Sequence, residues 1–150
     1  MQKFKKLLGA SILSFGIIAS FNPIPAYATP VSTTESESTA VGGWTEENGY
    51  FVNPQAYSKA IDSISTYSTP KHTGRAEYDN TDGKSKKRAH GWTTWVGVYH
   101  YTRARMEDGP GVLTDSLRQW GYDGTEATSP WWRFDGVTQG SARTYYGSEE

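Results

Sequence analysis

The stretch "WVGVYHYTRARM", Trp95 to Met106, decides the fold. Val96, Val98, Tyr99, Tyr101 and Thr102 favour extended backbone. In a strand, successive side chains point to opposite faces. Strict alternation puts Val96, Val98, His100, Thr102, Ala104 and Met106 on a face suited to a core. It puts Trp95, Gly97, Tyr99, Tyr101, Arg103 and Arg105 on the other. That second face is costly to bury unless its guanidinium groups are paired. It either faces a second layer or forms a binding surface.

Working outward, the extended pattern runs from Trp92 to Met106 and stops at the turn-forming "EDGPG" of Glu107 to Gly111. Val112 to Trp120 stays open between a strand and a helical turn. Gly121 to Gly124 reads as a further turn, and Thr125 to Phe134 and Ala142 to Tyr146 as strands. Upstream, Arg75 to Tyr78 is a short strand, Asp79 to Gly83 a turn cluster, and Lys84 to Arg88 a charge run that suits a solvated loop or a strand edge. Asn53-Pro54 suits a helix start, because Asn caps and Pro fits the first helical position. Tyr57, Ala60, Ile61 and Ile64 recur at helical spacing, which predicts a helix over Pro54 to Thr66. The whole predicts a mainly β protein. It would be a small antiparallel β-sandwich or barrel with one N-terminal amphipathic helix.

The N-terminus has a different character. Lys3, Lys5 and Lys6 precede an uncharged apolar run, Leu7 to Phe21. Asn22, Pro23 and Pro25 break it, and Ala26-Tyr27-Ala28 follows. This is the layout of a secretory signal peptide over residues 1–28, too short and too soon interrupted to be a comfortable membrane span. Residues 29–41 begin "TPVSTTESESTA" and offer no core face, so they read as a disordered linker or propeptide. Residues 42–150 form the single folded domain. The expected localisation is secreted and extracellular, with no transmembrane anchor after processing.

Composition narrows the function. There is no cysteine, which excludes thiol catalysis, thiolate metal sites and disulfide staples. The formal charge of −1 becomes −4 once the three leader lysines are removed. Residues 71–105 hold eight basic and three acidic side chains, and residues 106–150 hold three and eight. These opposed segments can neutralise each other across strands, so no nucleic acid partner is expected. His72, His90 and His100 form no metal-ligand motif, so neither a metal nor another cofactor is expected. No G-x-S-x-G or S-x-x-K is present. The carboxylates Asp115, Asp123, Glu126 and Asp135 lie in turn contexts, so no catalytic residue is assigned. Six tryptophans and, in the mature chain, nine of the ten tyrosines must build much of the core. They can also stack on sugars. The candidate ligand-binding residues are therefore Trp95, Tyr99, Tyr101, Arg103 and Arg105.

The leader, the cysteine-free β-rich body, "YHYTRARM", "DSLRQWG", "TEATS" and the terminal "ARTYYG" resemble the lactococcin 972-like bacteriocins of Gram-positive bacteria. The similarity covers roughly the last third of the chain. It implies a small antiparallel sandwich that blocks cell-wall synthesis at the septum by binding lipid II. Two departures stand out: the added helix-like segment, and an acidic mature charge where the family is typically basic. The expected function is a secreted binding protein, a bacteriocin-like antibacterial polypeptide acting on a cell-envelope component such as a peptidoglycan precursor or glycan. The alternatives are a carbohydrate or cell-surface binding module without antibacterial activity, and a small secreted hydrolase.

If residues 1–28 are a cleaved leader, mass spectrometry of the secreted protein should give Thr29 as its first residue. A soluble extracellular product that retains Met1 to Ala28 would contradict that reading.

Overall fold

One strand, β4 (Lys86–Asp108), organises the chain and is 23 residues long. It belongs to a computed structural model that describes residues 39–63 and 68–148. Before it come β1 (Gly42–Thr45), β2 (Gly49–Val52), α1 (Pro54–Ser63) and β3 (Lys71–Asp79). After it come β5 (Gly111–Asp115), β6 (Gln119–Thr128), β7 (Trp132–Arg133) and β8 (Ser141–Gly147). The predicted leader, residues 29–38 of the predicted linker and the last predicted helical turn lie outside the described residues. Ala40 and Val41, at the end of the predicted linker, are buried.

All pairings are antiparallel. One edge of β4 pairs with β3 over Lys86 to Thr94 and then with β8 over Tyr101 to Glu107. The other edge pairs with β6, and β7 and β5 sit at its two ends. The result is a single curled sheet forming a half-barrel. The expectation of a mainly β, antiparallel fold holds. Of the expected sandwich or barrel, the structure forms the coarser arrangement, one curled sheet that makes a half-barrel.

The fold-over happens at Val96–Val98. Trp95 pairs with Asp123 and Tyr99 with Tyr122, so three residues of β4 have no counterpart on β6. Gly97 takes φ +76 and donates its amide to Asp123 Oδ1 at 2.8 Å. An odd insertion exchanges the two faces of a strand. The inner face is therefore Ala89, Gly91, Thr93 and Trp95 before the corner, then His100, Thr102, Ala104 and Met106 after it. This corrects the alternation read from sequence. Trp95 is a core residue with 0% exposure, and Val96 is an exposed one. Trp92, by contrast, is half-buried on the outer face.

Small residues let the two halves meet. Gly74 and Gly91 are cross-strand partners on β3 and β4. A Cβ on Gly91 would stand 2.8 Å from Thr144 Cβ, and one on Gly74 would stand 2.5 Å from Thr144 Oγ1. Thr144 of β8 thus sits in a notch that only glycine leaves open. His72 bonds Thr144 Oγ1 through Nε2 (2.8 Å) and Thr93 Oγ1 through Nδ1 (2.9 Å). The Thr93, Thr102 and Thr125 hydroxyls continue the chain at 2.6 Å each. Around this polar seam lie two apolar clusters. One is Val41, Ala60, Trp95, Val98 and Tyr146. The other is Ala89, Ala104, Met106, Ala127 and Ala142, with Trp44 and Trp132 against it.

The helix α1 is ten residues long and follows the β1–β2 hairpin, so it does not lead the domain as expected. Asn53 Oδ1 accepts from the Gln55 amide at 3.2 Å, the predicted cap. Ala56, Tyr57 and Ile61 pack on the Trp95 cluster. The predicted turn at Gly121 to Gly124 is instead the interior of β6, because its neighbour β4 supplies the ladder partners. The Lys84 to Arg88 run is solvated only in part: Lys87 is buried, paired with Glu46 and donating to the Gly140 carbonyl.

Burial pushes the pKa of His72 down to about 3, so the folded protein holds it neutral. The unfolded chain binds that proton below about pH 6.5. Stability should therefore fall as pH drops from about 6.5 towards 3, with a slope approaching 1.4 kcal/mol per pH unit for this one group. Tm measured against pH for the wild type and for His72→Gln checks it. The substitution should flatten the curve in that window, and an unchanged curve would place His72 in solvent.

Candidate functional site

The corner in β4 divides the five residues singled out from sequence. Trp95 points into the core, where its indole Nε1 donates to the Ser68 carbonyl at 2.8 Å. Tyr99, Tyr101, Arg103 and Arg105 share the outer face of the second half of β4. Only Tyr99 among these four is exposed, at 48%. Tyr101 is buried beneath Arg118, whose guanidinium lies 4.7 Å from the ring centroid.

Arg103 and Arg105 are also buried. Arg103 Nε donates to Asp115 Oδ1 at 2.9 Å, and its Nη2 bonds Asp115 Oδ2 as well, giving a fork on one carboxylate. Arg105 Nε reaches the same carboxylate at 3.2 Å. Glu107 adds an acceptor for Arg143 at 3.3 Å and for the Tyr145 hydroxyl at 2.9 Å. Burial works against the Asp115 carboxylate. The Arg103 bonds, the Leu117 amide and the charges of Arg103 and Arg105 outweigh it and hold its pKa below the usual range. Burial, then Glu107, pushes the Tyr145 phenol well above its ordinary value. Asp115 follows "EDGPG" on β5 and was legible only as a turn acid. The hairpin that returns β5 beside β4 pairs it with Arg105.

The exposed chemistry lies beside this network. Tyr99 stacks on Trp120 at 5.3 Å and 18°, and meets Tyr122 at 5.1 Å and 49°. Trp120 meets Tyr101 edge-on at 4.9 Å. The row Tyr122–Tyr99–Trp120–Tyr101 thus crosses from β6 to β4 and back, set by the pairs Tyr99↔Tyr122 and Tyr101↔Trp120. Tyr122 is 64% exposed. Its role was hidden in sequence, because "QWGYDG" reads as turn chemistry until β4 fixes it as a strand. At the Tyr101 end the row meets an open cleft of about 500 Å³. Thr39, Asn53, Lys59, Tyr101, Arg118 and Ser148 contribute to its lining. The charged side chains there are Lys59 and Arg118, both cationic.

A second cluster occupies the outer face of the first half of β4. His90 bonds Glu77 through Nδ1 at 2.8 Å and Glu126 through Nε2 at 2.5 Å. Arg75 lies 5.0 Å from the Trp92 ring and Arg88 4.3 Å from Trp131. Burial opposes the Glu77 charge. Hydrogen bonds from His90, Arg88 and Arg75 outweigh that and bring its pKa down to about 2. Glu77 is a fixed anion tying β3 to β4, unsuited to taking a proton near neutral pH. Among the described residues no group of three His, Asp or Glu is placed to hold a metal ion.

Removing the carboxylate that Arg103 and Arg105 share should be costly, since breaking a buried pair from one side costs about 3–5 kcal/mol. Asp115→Ala should therefore lower unfolding stability by about 3 kcal/mol or more in urea titrations. A loss under about 1 kcal/mol would mean that the pair behaves as a surface ion pair. Comparison with protein-family models, with curated proteins and with solved structures finds no match for this chain.

Proposed function

We propose that this is a secreted protein that acts by binding the cell envelope, with a glycan or peptidoglycan precursor as its ligand. A bacteriocin-like antibacterial action is the biological form of that reading. The observation that carries it is the aromatic row on the outer face: Tyr99 held between Trp120 and Tyr122, with the Tyr122 ring largely in solvent. Rings already held by their neighbours lose little entropy on binding, and their solvent-facing parts suit the apolar faces of sugars while the hydroxyls stay wet. The cationic rim of the neighbouring cleft, Lys59 and Arg118, favours an anionic group on the same ligand. The arginines Arg103 and Arg105 are buried further along β4. Their guanidinium groups are turned to Asp115, so the reading rests on Tyr99, Trp120 and Tyr122.

Retention on purified peptidoglycan tests it. Tyr122→Ala should cut retention at least several-fold and leave Tm within about 2 °C, because an exposed ring contributes little to the fold. Retention unchanged in Tyr122→Ala and Tyr99→Ala would sink the aromatic row as the binding surface. A zone of inhibition on related bacteria, present for the wild type and lost with Tyr122→Ala, separates the antibacterial reading from a binding module without that activity.

A further inference from the structure

Leu117 is held in a conformation that its side chain disfavours. It takes φ +59, in the left-handed region, where Cβ crowds the backbone of any residue but glycine. Among the described residues six of the other positive-φ positions are glycine, and the remaining one, Asp123, accepts from the Gly97 amide with its own carboxylate. Leucine has no polar atom with which to do the same. The strain is imposed by the turn around it. Asp115 Oδ1 accepts from the Leu117 amide at 2.8 Å, and Ser116 Oγ donates to the Leu117 carbonyl at 2.8 Å. The Ser116 amide and hydroxyl both bond to Ala104 of β4. Gln119 Nε2 donates to the Ser116 carbonyl at 2.7 Å.

This rigid turn projects the leucine outward, leaving it 65% exposed. A strained apolar side chain in water contributes nothing to folding that glycine would not improve. Strain and exposure at one residue motivate looking for a contact outside the fold. The surroundings indicate the partner. Arg118 is next in the chain and leads to Tyr101, Trp120, Tyr99 and Tyr122. An exposed apolar tip, next in the chain to a cation complementary to phosphate and beyond it an aromatic row with exposed tyrosines, is the chemistry of a lipid–water interface.

We propose that Leu117 is the apolar anchor of a contact with the lipid bilayer surface, placing the aromatic row at headgroup level. The proposal rests on the envelope-binding reading and adds a lipid component to it. Sedimentation with vesicles of phosphatidylcholine and phosphatidylglycerol, free of glycan, tests it on the mature chain. Wild type should co-sediment. Leu117→Gly and Leu117→Asn, both compatible with the left-handed backbone, should bind about ten- to hundred-fold more weakly, the loss expected for one leucine side chain. Leu117→Gly should at the same time keep or raise Tm, so that its weaker binding is not a loss of folding. Variants that bind vesicles as wild type does would overturn the anchor. Wild type retained on lipid-free peptidoglycan but not on vesicles would overturn it and leave the glycan reading standing. Retention on whole envelopes that protease treatment abolishes, with none on vesicles, would give Leu117 a protein partner and overturn the lipid one. Retention on neither vesicles nor peptidoglycan would remove both readings.

Discussion

The structure depends on how closely the two halves of one sheet approach at Thr144. Two glycines that are cross-strand partners, Gly74 and Gly91, remove the Cβ atoms that would otherwise hold β8 away. The hydroxyl that enters the notch is met by a neutral His72, and His72 passes the hydrogen bonding on to Thr93, Thr102 and Thr125. A buried polar group is costly only when unpaired, and here each member pairs with the next. The seam fixes the distance between the halves. The small-residue cluster around Ala89, Ala104, Ala127 and Ala142 then has little room for bulkier side chains.

Once that distance is set, β4 must turn a corner to belong to both halves. It does so with three residues unmatched on β6, and the odd count reverses which side chains face inward. The reversal places Trp95 in the core and Trp92 outside it. It also joins the faces of Trp92 and Tyr99, which strict alternation separates, into one outer surface divided by the bend. The aromatic row and the Glu77–His90–Glu126 cluster lie on either side of that bend.

The outer face is supported electrostatically. Asp115 binds Arg103 and Arg105 and also accepts the Leu117 amide, so one carboxylate ties the buried charges to the strained turn. The segregation of basic and acidic segments along the chain acquires a structural meaning here. Arg103 and Arg105 end the basic segment, Asp115 lies in the acidic one, and the β4–β5 hairpin brings them together. A surface built this way is held by its own side-chain bonds, so its groups need little further ordering.

The sequence alone determined the class of structure. β-Branched and aromatic residues around Trp95 to Met106, turn residues at "EDGPG" and the Asn53-Pro54 helix start are local signals, and each corresponds to an element of the structure. Sequence also singled out the aromatic-and-arginine stripe and one of its two uses, pairing with carboxylates on a neighbouring strand. The partner the structure supplies is Asp115. Tertiary structure decided the rest. The corner at Val96–Val98 depends on the Asp123 carboxylate reaching the Gly97 amide across strands. Alternation read along one strand cannot see such an insertion, and an error of one residue there exchanges every side chain beyond it. Tyr122 and Leu117 were invisible for a related reason. "QWGYDG" and "DSLRQ" have the composition of turns, and only pairing with β4 makes one a strand that presents an aromatic ring and the other a pinned bend that presents a leucine.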